Sequence, residues 1–207
     1  MVSDSSESES TKVLDLLRRA IPETRQLIEG LTDGEWSAST PCPDWTVLDV
    51  VEHLVSGLAQ FADVGAGEEF DPSHRSSVSP VDALAAFDEA AGRMLTTWSD
   101  PTVADRLHSM PWGDTPGATL IGFMVAEQLA HGWDLARATG QGPTYNTELV
   151  TEALAMSEVN DDPSIRVPGM FGPIVTVGED RPAIDRLAGF LGRDPYWSPP
   201  VRPDGQR

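Results

Sequence analysis

The chain has 207 residues and lacks the features that would tie it to a disulfide scaffold, a membrane or nucleic acid. Its one cysteine, Cys42, excludes an internal disulfide, which fits a reducing compartment. There is no run of 18 apolar residues, so no membrane span is expected. The opening stretch MVSDSSESES has neither the basic nor the apolar region of a secretory signal, and a cytoplasmic location is expected. Basic residues are scarce: 14 stand against 33 acidic ones, Lys12 is the single lysine, and the net charge is −19. A surface of that sign repels phosphate backbones and anionic lipid, so neither nucleic acid nor a membrane is an expected partner. The charge itself needs no explanation beyond solubility. What remains is a chain of 40% hydrophobic content, enough for one domain with a sizeable core.

The apolar residues recur mostly at helical spacing. Residues 1–11 read as a disordered acidic tail, 12–160 as a helical bundle and 161–207 as a C-terminal extension packed on it. Val13, Leu16, Leu17, Ala20, Leu27 and Ile28 place a first helix over 12–30, with Pro22 predicting a kink or a break just before it. A second helix spans about 47–63, capped by Thr46 or Asp44, with Val47, Val50, Val51, Leu54, Leu58 and Phe61 inward. A third covers 81–98, and a Pro- and Gly-punctuated loop over 99–118 leads to a fourth over 119–139, closed by Gly140. A shorter helix is expected at 147–158, a short strand at IVTV (174–177) and an amphipathic turn or helix from 183. Four long helices and little strand make an all-α four-helix bundle with a short irregular extension.

The chemistry sits in VAEQLAHGWDLARATG, Val125 to Gly140. At about 100° per residue, Leu120, Met124, Glu127, His131, Leu135 and Ala138 share one sector, with Asp134 at its edge. A carboxylate and an imidazole inside an apolar stripe are costly unless paired or metal-bound. The residues leave both readings open: a buried Glu–His hydrogen bond, or two metal ligands. His53, flanking the stripe of the second helix, is either a packed residue or the third ligand. His74 lies in a polar loop, and His108 lies in the loop before the fourth helix, where it lines a pocket at most. His53, Glu127 and His131 together form a His₂Glu set, the catalytic form of a zinc site with one open position. The same donors suit Fe(II) or nickel.

Three segments, STPCPDWTVLDVVEHL, MPWGDTPGATLIGFMVAEQLAHGWDLARATG and FGPIVTVGEDRPAIDRLAGFLGRDP, resemble actinobacterial metal-binding proteins of the DinB-like superfamily. That superfamily includes the N-terminal domain of mycothiol-dependent maleylpyruvate isomerase. The likeness runs from about residue 12 to 196. It implies an up-down four-helix bundle with a divalent metal held by His53, Glu127 and His131. The isomerase carries a larger C-terminal domain than the roughly fifty residues that follow the bundle here.

A metal with an open position lowers the pKa of a bound water or thiol. Cys42 reads as a small buried hydrophobe, so no protein nucleophile is evident and a cofactor thiol would supply one. The expectation is a zinc-dependent thiol transferase or thiol-dependent isomerase, with mycothiol held as a metal thiolate and a small electrophile as its other partner. Alternatives are a non-catalytic metal-binding or stress-response protein, a metal-dependent hydrolase, which lacks a spare glutamate base, and a metal- or thiol-sensing module, which lacks the expected cysteines. Asp134 and Gln128 are candidates to orient the ligands, and Asp49 to accept from His53 or to remain a solvated acid. Arg137 either pairs with an acid or holds an anionic ligand; Trp112, Trp133 and His108 are candidate pocket walls. Monomer and homodimer remain equally open.

Overall fold

A computed structural model describes residues 8–142, 145–159, 161, 166 and 172–200. It is an all-α fold with, among the described residues, a single small hairpin. The elements are α1 (Glu9–Glu29), α2 (Val47–Ala66), α3 (Ala83–Trp98), α4 (Pro101–Ala104), β1 (Leu107–Met110), β2 (Gly113–Pro116), α5 (Gly117–Thr139), α6 (Thr147–Val159) and α7 (Ala183–Phe190). The four long helices close a ring: α1 packs on α5, α5 on α2, α2 on α3, and α3 back on α1. The consecutive helices α1 and α2 thus occupy opposite corners, and it is α2 and α5 that become neighbours.

The helix ends follow from local chemistry. α2 opens with a capping box: the Thr46 hydroxyl accepts from the Asp49 N–H, and Asp49 Oδ2 accepts from the Thr46 N–H at 2.7 Å. The Thr46 hydroxyl also donates to Asp49 Oδ2, and this bond, with the one from the Thr46 N–H, holds the Asp49 carboxyl below its ordinary pKa and turns it to the helix start rather than to His53. α2 runs one turn past the expected 63 and stops at Gly67, whose φ of 101° only glycine adopts readily. α1 begins at Glu9, capped by Ser8, and the Ser10 hydroxyl is buried and donates to Asp105, so residues 9–11 are helix and not tail. The rest of the expected tail, 1–7, lies outside the described residues. The break expected at Pro22 is absent. Pro22 is exposed, so the carbonyl left without a partner by its missing N–H faces water.

Two other expectations are corrected. The stretch 99–118 is not only a loop: Asp100 caps the short α4, with Pro101 in its first turn, and β1 pairs antiparallel with β2 in the register His108↔Thr115 and Met110↔Gly113. Four-residue strands are too short to carry a readable alternation. The IVTV segment lies in an extended stretch with no ladder; it runs along α7, with the Val175 N–H donating to the Gly189 carbonyl at 2.9 Å.

α5 is the axis of the fold. Leu120, Ile121, Val125, Leu129, Trp133 and Leu135 are wholly buried, against α1, α2, α6 and α7 in turn. A helix enclosed on several sides has a broad apolar surface rather than a single stripe. No described helix is long and apolar enough to cross a membrane.

Candidate metal centre

α2 and α5 meet where their polar residues stand. His53 comes from the second turn of α2; Glu127 and His131, one turn apart, come from the middle of α5. The nearest donor atoms of the three lie within 4.8 Å of one another. One carboxylate oxygen, Glu127 Oε2, faces both imidazoles: His53 Nε2 at 2.7 Å and His131 Nε2 at 3.2 Å. The rings of the two histidines meet edge to face, with centroids 4.7 Å apart. The exposure is graded, at 36% for the His53 side chain, 23% for Glu127 and 5% for His131. The site is therefore open on the α2 side and closed behind His131.

Behind His131 stands Asp134, fully buried on the next turn. The His131 Nδ1–H donates to Asp134 Oδ2 at 2.9 Å, which fixes the ring and leaves Nε2 for the site. The same Oδ2 accepts from Arg193 Nη2 at 3.2 Å. Burial opposes a charge on Glu127, but the bonds and positive charge of His131, and then of His53, outweigh it and hold the carboxyl well below the usual range. Burial also disfavours an imidazolium at His131, yet its bonds to Asp134 and Glu127 raise its pKa. The raised His131 pKa sets a proton in competition with a metal for Nε2 in the metal-free chain. Two imidazole nitrogens and a carboxylate oxygen, one imidazole locked by a buried carboxylate at its far nitrogen, are a donor set suited to a divalent ion.

With the fold and site in view, a family model described as Mycothiol maleylpyruvate isomerase N-terminal domain matches residues 17–136, more than half of the chain. The chain belongs to that family. The matched stretch contains His53, Glu127, His131 and Asp134 but ends before Arg193. Two uncharacterised proteins of Mycobacterium tuberculosis, MT0763 of strain CDC 1551 / Oshkosh and Rv0738 of strain ATCC 25618 / H37Rv, are each 34% identical over 179 residues, which is 85% of this chain and 94% of theirs. The crystal structure of the mycothiol-dependent maleylpyruvate isomerase shares the fold with a TM-score of 0.57 at 16% identity, over 73% of this chain and 70% of that one. A histidine-to-alanine mutant of that enzyme matches over the same shares with a TM-score of 0.55.

The remaining residues singled out in the sequence are placed as follows. His108 is buried on β1, donating from Nε2 to the Val103 carbonyl at 2.9 Å and packing on Trp98, so it is held by the α3–α4 corner. Trp112, at the hairpin turn, stacks edge to face on Phe70 and donates to the Thr115 hydroxyl at 3.1 Å. Arg137 lies over the Trp133 ring, donates to the Pro195 carbonyl and sits 3.7 Å from Asp185, which makes it a fastener of the C-terminal segment. Trp133 is fully buried and donates to Asp185 Oδ1 at 3.0 Å. Gln128 is buried, its backbone carbonyl accepting from Thr24 and Tyr145.

Sequence reasoning missed two residues of the centre. Trp45, just before the α2 cap, lies nearly parallel to the His131 ring at 5.6 Å and tilted against His53 at 4.9 Å, forming one wall. Its place in the CPDWTV loop beside the helix that carries His53 was the available signal. Arg193 carried no signal at all, because only the tertiary fold brings residue 193 to residue 134.

Proposed function

We propose that the chain is a metal-dependent enzyme that activates a low-molecular-weight thiol, mycothiol or a close analogue, for transfer to or isomerisation of a small electrophile. The convergence of His53 Nε2, Glu127 Oε2 and His131 Nε2 on one solvent-open point carries this reading. These atoms would hold the ion, and zinc suits the set best. When bound, a divalent ion there lowers the pKa of a thiol brought to it. Glu127 is the single anionic donor of the three, so one positive charge of a divalent ion stays uncompensated and favours an anionic partner such as a thiolate. α5 holds Glu127 and His131 one turn apart, Asp134 fixes the His131 tautomer, and Trp45 excludes water from one side.

The nucleophile is brought in. The half-buried Cys42 has its pKa pushed up to about 11, chiefly by burial and then by the nearby Asp134 charge, so it is no ready thiolate. A hydrolase would need a free carboxylate base at the centre. Glu127 is engaged by both imidazoles, and Asp134 stands at the far nitrogen of His131. The likeness to a mycothiol-dependent isomerase supports the thiol side of the proposal.

The test is metal analysis of protein purified without a chelating tag, followed by titration with mycothiol or a simple thiol. Stoichiometric metal, and thiol uptake with proton release, are the expected results, with both lost in His131→Ala. Metal without thiol uptake would favour a binding protein, and metal retained by His131→Ala would refute the site.

A further inference from the structure

We infer that the C-terminal segment completes the metal centre through Arg193, which acts as a positioning residue for the His131 ligand by clamping Asp134. The inference rests on the metal reading above and concerns what holds the ligand rather than what it binds. The delivery of Arg193 is built into the backbone. α7 ends in a two-bond turn: the Gly192 N–H donates to the Gly189 carbonyl at 3.0 Å, and the Arg193 N–H reaches back to Ala188 at 2.9 Å. Gly192 has φ of 87°, and a Cβ there would lie 2.6 Å from Gly172 Cα, so both the turn and its packing require glycine. α7 is itself anchored to α5, because Asp185 accepts from the Trp133 indole at 3.0 Å and from Arg181 at 2.7 Å.

From that turn the Arg193 side chain enters the bundle. Nη1 donates to the Leu191 carbonyl at 3.2 Å, and Nη2 reaches Asp134 Oδ2 at 3.2 Å, 3.5 Å from His131 Nδ1. Asp134 Oδ2 is thus shared by the ligand histidine and the guanidinium, while its other oxygen, buried, has no hydrogen-bond partner among the described residues. A wholly buried carboxylate held through one oxygen is positioned by whatever shares that oxygen, and among the described residues Arg193 shares it with His131. Arg193 bonds Asp134 rather than His131 Nε2, so it acts on the ligand through the position of Asp134, while its charge by itself opposes a proton on His131. Outer groups that orient a ligand histidine typically carry about 10–100-fold of metal affinity.

The test uses the full chain. Zinc affinity is measured by competition with a chromophoric chelator, and the visible spectrum of the Co(II)-substituted protein reports ligand geometry. Arg193→Gln keeps an amide donor but shortens the side chain and removes the charge; it is expected to weaken zinc binding about tenfold or more and to alter the Co(II) spectrum. Arg193→Lys keeps a cation and is expected to stay within about threefold of the parent with its spectrum preserved. Circular dichroism checks that each variant is folded; if Arg193→Gln fails to fold, the Co(II) spectrum and affinity of Arg193→Lys against Gly192→Ala, which moves the arginine without deleting it, make the same comparison. Parent-like affinity and spectrum in Arg193→Gln, or tighter binding from relief of charge repulsion, would overturn the inference. Failure of the parent chain itself to bind zinc or cobalt would instead overturn the metal reading on which it rests.

Discussion

Removing metal and restoring it across a pH range tests the proposed centre through the groups that would hold the ion. In the metal-free protein two buried contributions overlap. The Glu127 carboxyl is held well below its ordinary 4.5, so its stabilising contribution is complete above 4.5 and lost as pH falls through the lower folded value. His131 is raised above its ordinary 6.5, so its contribution is complete below 6.5 and lost as pH rises through the folded value. The metal-free chain is therefore expected to be most stable between 4.5 and 6.5. A metal takes His131 Nε2 in its neutral form, and loading must displace the proton held there. Below the raised pKa, apparent affinity should climb about tenfold per pH unit, or about 1.4 kcal/mol. In a domain of this size each kcal/mol moves Tm by about 2–4 °C, so the zinc-induced rise in Tm should grow by about 3–6 °C per pH unit on leaving pH ~6. Differential scanning calorimetry at fixed free zinc and matched ionic strength reads this directly. A zinc effect that stays constant from about pH 6 to 8, or shrinks, would refute the assignment of the titrating proton to the ligand position.

Three further outcomes follow from single contacts. Cys42, with its pKa pushed from 9.0 to about 11, should be alkylated by iodoacetamide at pH ~8 about a hundredfold more slowly in the folded chain than after unfolding, and equal rates would contradict its placement. Pro22→Ala restores a helix N–H at an exposed position inside α1 and should stabilise the protein by about 1–3 kcal/mol in urea unfolding; destabilisation would mean that the proline shapes the native packing. Gly132→Ala would set a Cβ 1.4 Å from the Tyr145 hydroxyl oxygen and 2.8 Å from its ring, so it should cost about 1–3 kcal/mol, with partial recovery in a Tyr145→Phe background. A neutral Gly132→Ala would show that Tyr145 does not occupy that notch.

Local sequence determined what local physics decides. The long helices were legible because their apolar residues repeat at 3.6, and two of their ends because Thr46 and Gly140 are cap residues with specific backbone requirements, whereas the stop at Gly67 was not read. The alignment of Glu127 with His131 follows from helical spacing alone. Tertiary structure decided the rest. His53 joins the pair because α2 packs on α5 and not on its sequence neighbour α1, a ring order that no helix pattern encodes. The β1–β2 hairpin escaped because two four-residue strands hold too little alternation, and of the kink or break expected at Pro22 the break does not occur, because the proline lies on the side of α1 that faces water. His108 and Trp112 look like site residues in one dimension and are carried to the α3–α4 corner and the hairpin in three. Arg193 shows the division most clearly: its turn is written locally in Gly192, but its partner Asp134 stands 59 residues away, and a contact across that separation exists only once the core has closed.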